Sequence, residues 1–335
     1  MVDWQGRHIG IDTVYVGDDT PDESLVAGSP DLAAWETLAR GAQAPLVRYG
    51  GGGLVAARSQ LVAFGWTREP ACGGDTIPFT CDEPPVMIWT SEDAATWQPI
   101  SDVSPFKSAH ISSMADGQHG LVAVGESHGA AAIWASGTGS VWQRVALPGG
   151  VFTGARLQAV TATRGGYLVG GAVSGKAAAW WSSDGRTWSR STVEQAPGGA
   201  VLMGSVYEAD GGLIAIGWSD LGQNAREVSW ASKDGRAWRY IDVDYEAGPG
   251  RGWCPLGSDG RRILAVVSED AGDGSLTAYV WESLDGVNWL KLPYSASALV
   301  PYPGDPPMVI TAQGLTVMVA TSDTETAVLH ADALP

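Results

Sequence analysis

A seven-residue pattern, Ser-x-Asp-x-x-x-Trp, recurs along this 335-residue chain and constrains its fold more than any other feature. Each of the six copies starts with a serine, at Ser29, Ser91, Ser136, Ser182, Ser232 and Ser283. The fullest copies read SSDGRTW from Ser182 and SKDGRAW from Ser232, whereas the copy at Ser136 has Thr138 in place of Asp. Repetition of one motif along a chain indicates a fold built from similar units rather than a single conventional core.

The spacing of the copies gives the size of the repeated unit. The tryptophans that end them lie 45 to 51 residues apart, except for one step of 62 residues between Trp35 and Trp97. That step contains a Gly- and Pro-rich insertion at 67–85. Each interval holds four short segments of β-prone residues separated by Gly, Ser or Asp, and none shows sustained helical periodicity. A four-stranded unit of ~40–50 residues is typical of a β-propeller blade, so we predict an all-β, single propeller domain over 1–335.

The number of blades depends on how the ends of the chain are used. Three strand candidates follow Trp289, and a fourth is missing at the C-terminus. The N-terminal residues 1–5 resemble the openings of outer strands elsewhere, such as 96–98. We therefore predict that the N-terminal strand pairs with the C-terminal strands and closes a ring of seven four-stranded blades. Six blades is the alternative, because the first unit is compressed.

The repeated pattern falls between the third and fourth strands of each unit, where a tight hairpin is needed. Its Asp and Ser side chains can accept hydrogen bonds from backbone N–H groups of the following residues. A glycine such as Gly185 can adopt the positive φ that such turns often require. We expect the tryptophan of the pattern to be buried. A second tryptophan two residues before the serine, expected to pack between blades, occurs in five units at Trp89, Trp134, Trp180, Trp230 and Trp281.

The pattern resembles the Asp-box, or BNR repeat, of sialidase-like β-propellers, and the resemblance covers nearly the whole chain. It implies that the boxes lie on the face opposite the functional site. Sialidases hold the sugar carboxylate with three arginines, one of them in an Arg-Ile-Pro motif. That motif does not occur in this sequence. We therefore expect no classical sialidase activity, because a fold does not by itself imply a function.

Candidate site residues lie on the predicted loops of the face opposite the boxes, at the top of the central channel, where propeller loops are free to vary. The candidate ligand-binding residues are Arg48, Tyr49, Phe106, Arg156, Tyr245, Arg251, Trp253 and Tyr302. The candidate catalytic residues are Glu246, Asp305 and His110. Aromatic rings combined with arginines and carboxylates suit a sugar or another polar small molecule. We expect no metal and no cofactor, because the histidines and cysteines show no ligand spacing.

The charge of the chain excludes some partners. With 37 acidic and 20 basic residues the net charge is −17, which repels nucleic-acid phosphates and anionic lipid surfaces. No apolar stretch approaches the ~20 residues needed to span a bilayer. We expect neither nucleic-acid binding nor membrane insertion, and we expect a monomer.

Two of the three cysteines bear on the compartment. Cys72 and Cys81 flank a Gly- and Pro-rich loop that suits a disulfide, which would require an oxidising environment. We expect an extracytoplasmic or secreted protein whose leader is absent from this sequence, with a cytoplasmic protein as the alternative. The predicted function is recognition of a glycan, a small polar molecule or a protein partner. The alternative is an enzyme, either a glycoside hydrolase or lyase or a biosynthetic enzyme, acting in the same funnel.

Overall fold

The computed structural model describes most of the chain, and every structural statement below refers to the described residues. These are residues 1–14, 23–30, 34–45, 52–66, 71–72, 81–82, 86–197, 202–218, 227–241, 256–258, 260–270, 276–285, 288–297, 308–311, 314–320 and 326–332.

The first half of the described chain forms antiparallel sheets from short strands. Their bounds are β1 Val2–Trp4, β2 Arg7–Val14, β3 Glu23–Ser29, β4 Glu36–Arg40, β5 Gly53–Ala56, β6 Leu61–Trp66, β7 Ala71–Cys72, β8 Cys81–Asp82, β9 Val86–Ser91, β10 Gln98–Pro99, β11 Ala109–Gly117, β12 Gly120–Ser127, β13 Ala130–Ser136 and β14 Gln143–Arg144. Two single-turn 3₁₀ helices, at Gly41–Gln43 and Ser104–Phe106, are the helical elements of the described residues.

The second half continues in the same way. Its strands are β15 Ala155–Thr163, β16 Gly166–Val173, β17 Lys176–Ser182, β18 Ser189–Arg190, β19 Thr192–Val193, β20 Leu202–Ala209, β21 Gly212–Trp218, β22 Glu227–Ser232, β23 Ala237–Ile241, β24 Leu256–Ser258, β25 Ile263–Asp270, β26 Leu276–Ser283, β27 Leu290–Ser297, β28 Met308–Thr311, β29 Gly314–Ala320 and β30 Thr326–Asp332.

Six sheets contain four antiparallel strands in simple up-and-down order, as expected of propeller blades. The fifth of them gains a fifth strand, because β19 pairs in parallel with the outer strand β23. A seventh sheet has the three strands β28, β29 and β30. The count of four-stranded blades is therefore six, which is the alternative that the sequence left open.

The insertion at 67–85 leaves the second blade intact. Strands β6 and β9 pair directly, with Leu61 opposite Ser91 and Trp66 opposite Val86. Inside the insertion, β7 and β8 form a two-stranded ribbon in which Cys72 and Cys81 are opposite each other. The insertion therefore lengthens the second repeat without disrupting its blade, which explains the step of 62 residues between Trp35 and Trp97.

The N-terminal strand does not complete the C-terminal sheet, and this prediction was wrong. Strand β1 pairs with β2 of its own sheet, placing Val2 opposite Ile9 and Trp4 opposite Arg7. Gln5 and Gly6 connect the two strands with φ of 50° and 76°. Two successive positive φ values give a two-residue hairpin whose twist matches that of the flanking strands. This local turn therefore decides the pairing of the N-terminal strand.

Chain contacts divide the protein into two compact units, and each has its own buried clusters. The first unit comprises Val2–Tyr167 and Ser182–Trp188. Its largest cluster packs Phe64 and Ile88 of the second blade against Ile111 and Trp134 of the third. The second unit comprises Met1, Leu168–Trp181 and Ser189–Pro335. One of its clusters surrounds Trp230 and Trp238. Tryptophans of the repeat are therefore core residues in both units, although Trp35, Trp89, Trp281 and Trp289 are only partly buried.

Candidate functional site

The repeated seven-residue motifs, called boxes below, form hydrogen-bonded turns whose side chains bind their own backbone. In the fullest copy, the carboxylate of Asp184 accepts hydrogen bonds from the backbone N–H groups of Arg186 and Thr187, at 2.8 and 2.7 Å. The hydroxyl of Ser182 accepts one from the N–H of Gly185 at 2.8 Å. The indole N–H of Trp188 then donates to the carbonyl of Gly185 at 3.2 Å. These polar groups are therefore engaged in holding the turn.

The electrostatics of the boxes are consistent with this structural role. Burial raises the pKa of Asp184, but the backbone N–H groups of Thr187 and Arg186 and the hydroxyls of Ser182 and Thr187 outweigh burial and lower the pKa to about 2. The backbone N–H of Thr96 is the main cause of a lowered pKa at Asp93 in another box. A carboxylate stabilised in its charged form by backbone donors is a poor proton donor at neutral pH. We find no reason to place acid–base chemistry in the boxes.

The third blade shows which residues lie at the opposite edge of a sheet. We call the edge that carries the Ser136–Trp142 turn the box edge and the other end of the same strands the loop edge. Strand β11 ends at the box edge, where Gly117 is opposite Gly120. At the loop edge, Ala109 is opposite Ser127, and Ser127 is opposite Ala130 of β13. Residues near position 109 are therefore about 25 Å from the box edge, at ~3.3 Å per residue.

His110 and Glu126 form a cross-strand pair at the loop edge. The two residues are directly opposite in the register of β11 and β12. Side chains at opposite positions of an antiparallel pair share one face, with Cβ atoms ~4.5–5.5 Å apart. Glu126 is exposed and His110 is partly buried. An imidazole and a carboxylate at this separation can share a proton or together hold a polar ligand.

Arg156 occupies on β15 the position that His110 occupies on β11. Each follows a buried phenylalanine by four residues and precedes a buried aliphatic residue, Ile111 in one strand and Leu157 in the other. From those two residues onward the strands have the same alternation of buried and partly buried positions. The two residues therefore lie at equivalent levels on the first strands of neighbouring blades.

Side-chain hydrogen bonds hold these two strands together directly below the loop edge. The hydroxyl of Ser112, at a β-bulge, lies 2.9 Å from the carbonyl oxygen of Leu157 and 3.1 Å from that of Val124. The backbone N–H of Val160 donates to the hydroxyl of Ser113 at 3.1 Å. Bulges commonly occur where a strand must redirect side chains next to a site. The bonds keep His110 and Arg156 in adjacent positions on a rigid scaffold.

The connection that precedes β11 is anchored on the same blade. The indole N–H of Trp134 donates to the carbonyl of Pro105 at 2.7 Å. The hydroxyl of Ser127 donates to the carbonyl of Lys107 at 3.3 Å, and the N–H of His128 donates to the carbonyl of Ser108 at 3.0 Å. The side chains of Lys107 and His128 are exposed beside Glu126 and His110. Several polar side chains therefore lie at the loop edge of the third blade.

Phe106 is not part of this exposed surface, contrary to the sequence prediction. It is 2% exposed, and its ring centroid lies 5.3 Å from that of Trp134 and 5.6 Å from that of Trp142. Phe152, in the equivalent position of the next connection, packs edge-on against Trp188 in the same way. Both phenylalanines anchor loops to blades, and the residues that follow them reach the loop edge.

Among the sequence candidates, the structure therefore brings together His110 and Arg156. Glu126 was missed, although its position directly after the apolar run 121–125 was a usable signal. The other candidates lie outside the described residues: Arg48, Tyr49, Tyr245, Glu246, Arg251, Trp253, Tyr302 and Asp305.

The described residues contain neither a candidate metal cluster nor a candidate membrane-spanning helix. They contain no group of three or more His, Cys, Asp or Glu residues that could hold a metal ion. None of the helices in those ranges has the length and apolar character needed to cross a membrane.

Comparison with known proteins identifies the fold and not a family. No family model matches the sequence, and no curated protein matches it. A candidate 6-phosphogluconolactonase from Bacteroides fragilis superposes with a TM-score of 0.59 at 12% identity, over 98% of this chain and 94% of that one. The polysaccharide lyase Uly1 gives 0.52 at 12% identity, over 98% and 88%. The β-propeller domain of the Trilobed protease from Pyrococcus furiosus gives 0.51 at 10%, over 96% and 91%.

These similarities, together with the sheet order, establish the fold class. The protein is an all-β, single β-propeller with six blades of four antiparallel strands each. The prediction of a propeller is therefore confirmed. Likeness at such low identity concerns the fold alone.

Proposed function

We propose that this protein is a recognition propeller that binds a glycan or another polar small molecule at the loop edge of the third and fourth blades. One observation carries the proposal: His110 and Arg156 lie at equivalent positions of adjacent blades, and Glu126 is opposite His110 in register. Donors and acceptors at fixed spacing on rigid strands suit a ligand rich in hydroxyl groups. Two of the similar propellers, a polysaccharide lyase and a candidate lactonase, have descriptions related to carbohydrates.

Further parts of the proposal rest on the sequence. Arg48, Tyr49, Tyr245, Arg251, Trp253 and Tyr302 remain candidate ligand-binding residues on the grounds of the sequence alone. A disulfide between Cys72 and Cys81 and an extracytoplasmic location complete the proposal, and binding requires no metal or cofactor. A protein partner at this surface is the third ligand class.

An enzyme is the second candidate function, and the His110–Glu126 pair is the observation that favours it. A histidine with a carboxylate at the opposite position of a strand pair can act as a general base or acid. Glu246 and Asp305 are further carboxylates for such chemistry. Under this alternative, a glycan that binds is also cleaved or modified, and Glu126→Gln lowers kcat more than it changes KM.

Binding is tested with matched variants at the two edges. We expect labelled protein to bind members of a glycan array or of a metabolite panel. His110→Ala and Glu126→Gln should each weaken binding about tenfold, the effect of losing one or two hydrogen bonds to a ligand. The control variants His119→Ala and Glu92→Gln change exposed residues near the box edge of the third and second blades and should leave the affinity unchanged. Equal losses from both sets would reject this location for the site.

A further inference from the structure

The loop edge of the third and fourth blades carries exposed cationic side chains, although the chain as a whole is acidic. Lys107, His128 and Arg156 are exposed there, and His110 lies among them. Two acidic residues lie nearby: Glu126, opposite His110, and Asp102, exposed on the connection that precedes β11. The chain as a whole has a net charge of −17. In so acidic a protein, the two cationic side chains of Lys107 and Arg156 give an anion a favourable local interaction.

Arg156 is the strongest anion-binding group in this cluster. Within the described part of the chain, its guanidinium forms no ion pair or hydrogen bond. Some other arginines are paired: Arg7 with Glu36, and Arg262 with Glu282 at 3.7 Å. A guanidinium presents a planar pair of donors that matches both oxygens of a carboxylate, and it remains charged at every physiological pH. Arg156 is thus available for a carboxylate from outside.

The order of the groups across the edge defines the shape of the ligand. Arg156 lies on β15, His110 lies on the neighbouring strand β11, and Glu126 lies one strand further away on β12. A carboxylate next to Glu126 would be repelled, whereas a sugar hydroxyl next to Glu126 could donate a hydrogen bond to it. The arrangement therefore favours a ligand whose acidic group and hydroxyl groups are at different ends of one ring.

We propose that the ligand of this site is an acidic glycan, whose uronic-acid carboxylate binds Arg156 with support from Lys107 and whose ring hydroxyls bind His110 and Glu126. The proposal rests on the function proposed above, because it names the substrate class of the same site. It also predicts that added salt weakens binding, since exposed charges are screened over ~10 Å at 0.1 M ionic strength.

The test uses pairs of glycans that differ in charge alone. The array should hold polyuronates of several linkages, each printed beside its carboxyl-reduced neutral counterpart. Every polyuronate that binds is then titrated calorimetrically, together with its counterpart, against the wild type, Arg156→Gln, Arg156→Lys and Arg144→Gln. Arg144 is an exposed arginine on the outer strand of the third blade and serves as the control. Urea unfolding of each variant establishes that it is folded.

Each outcome decides the proposal. We expect the acidic form to bind at least tenfold more tightly than its reduced counterpart, and Arg156→Gln to remove that preference. Arg156→Lys should retain part of it, and Arg144→Gln all of it. Equal binding of acidic and reduced glycans, still weakened by Glu126→Gln, would overturn the acidic class and leave the recognition function intact. Absence of binding to every glycan and metabolite would overturn both proposals.

Discussion

The ring of Tyr167 lies against Gly185, so close that a Cβ atom on Gly185 would be 3.2 Å from the Cε2 atom of the ring. The same Cβ would be 2.7 Å from the Cγ2 atom of Val122. The hydroxyl of Tyr167 donates a 2.6 Å hydrogen bond to the carbonyl of Gly120 in the neighbouring blade. This glycine of the seven-residue motif thus permits a turn and also a close contact between blades.

We predict that Gly185→Ala destabilises the protein more than Gly175→Ala does. Both glycines have positive φ, 71° and 72°, which costs an alanine about 1–2 kcal/mol. A Cβ on Gly175 would meet nothing within 4 Å, whereas one on Gly185 would overlap Val122. Overpacking adds about 1–3 kcal/mol at Gly185. The stabilities of the two variants are compared by the urea concentration at the midpoint of unfolding. Equal midpoints would contradict a packing role for Gly185.

A second prediction concerns the pH dependence of the stability that Asp184 gives to its turn. The pKa of Asp184 is lowered to about 2 from 3.8. A lowered native pKa means that the stabilisation is present above pH 3.8 and is lost as pH falls through about 2. The full shift corresponds to about 2 kcal/mol, and solvent screening reduces it to about 1 kcal/mol.

Asp184→Asn should therefore be less stable than the wild type by about 1 kcal/mol at pH 7, since the charge-assisted bonds weaken. The difference in unfolding free energy should shrink below pH 4 and approach zero near pH 2. Asp234→Asn is the matched variant. Asp234 accepts a backbone hydrogen bond from Arg236 at 3.0 Å, and its substitution should lower the unfolding free energy by less than Asp184→Asn does. A difference that stays constant between pH 6 and pH 2 would show that the charge of Asp184 contributes nothing.

The sequence predicted the features whose causes are local. The box turn is made by hydrogen bonds within seven residues, such as the one from Thr187 to Asp184, so the motif was sufficient to predict it. The burial of Trp188 and Trp238 followed from their repetition in every unit. The sequence pattern therefore predicted the repeated architecture, and it also indicated that the box residues have a structural role rather than a role in ligand binding.

Features that depend on pairing and packing in three dimensions were harder to predict from the sequence. Trp4 resembles the tryptophan that opens an outer strand, but the turn at Gln5 and Gly6 pairs its strand with β2. Phe106 resembles an exposed aromatic in a polar loop, but its ring fills a space between Trp134 and Trp142. The pairing of Glu126 with His110 could not be predicted, because it depends on the register of two strands. Residue type alone does not carry this information.

The burial of Phe106 separates a core role from a ligand role. We predict that Phe106→Ala costs about 3–5 kcal/mol of unfolding free energy, as expected for a buried phenylalanine. Lys107→Ala, at the exposed neighbouring position, should change stability by less than about 0.5 kcal/mol. Chemical denaturation distinguishes them, and Phe106→Leu should fall between the two. If Phe106→Ala unfolds at the same urea concentration as the wild type, Phe106 is not a core residue.

The register of the ribbon in the second blade supports a prediction about the cysteines. Cys72 and Cys81 are opposite each other in β7 and β8. The loop between them would stabilise the fold by about 2–3 kcal/mol if closed by a disulfide. Alkylation of the unfolded, unreduced protein, made under oxidising conditions, should modify one thiol, that of Cys254. After reduction all three cysteines should react. In Cys254→Ser, no thiol should react before reduction. Three modified thiols in the unreduced wild type would exclude the disulfide, and with it the argument from cysteines for an oxidising compartment.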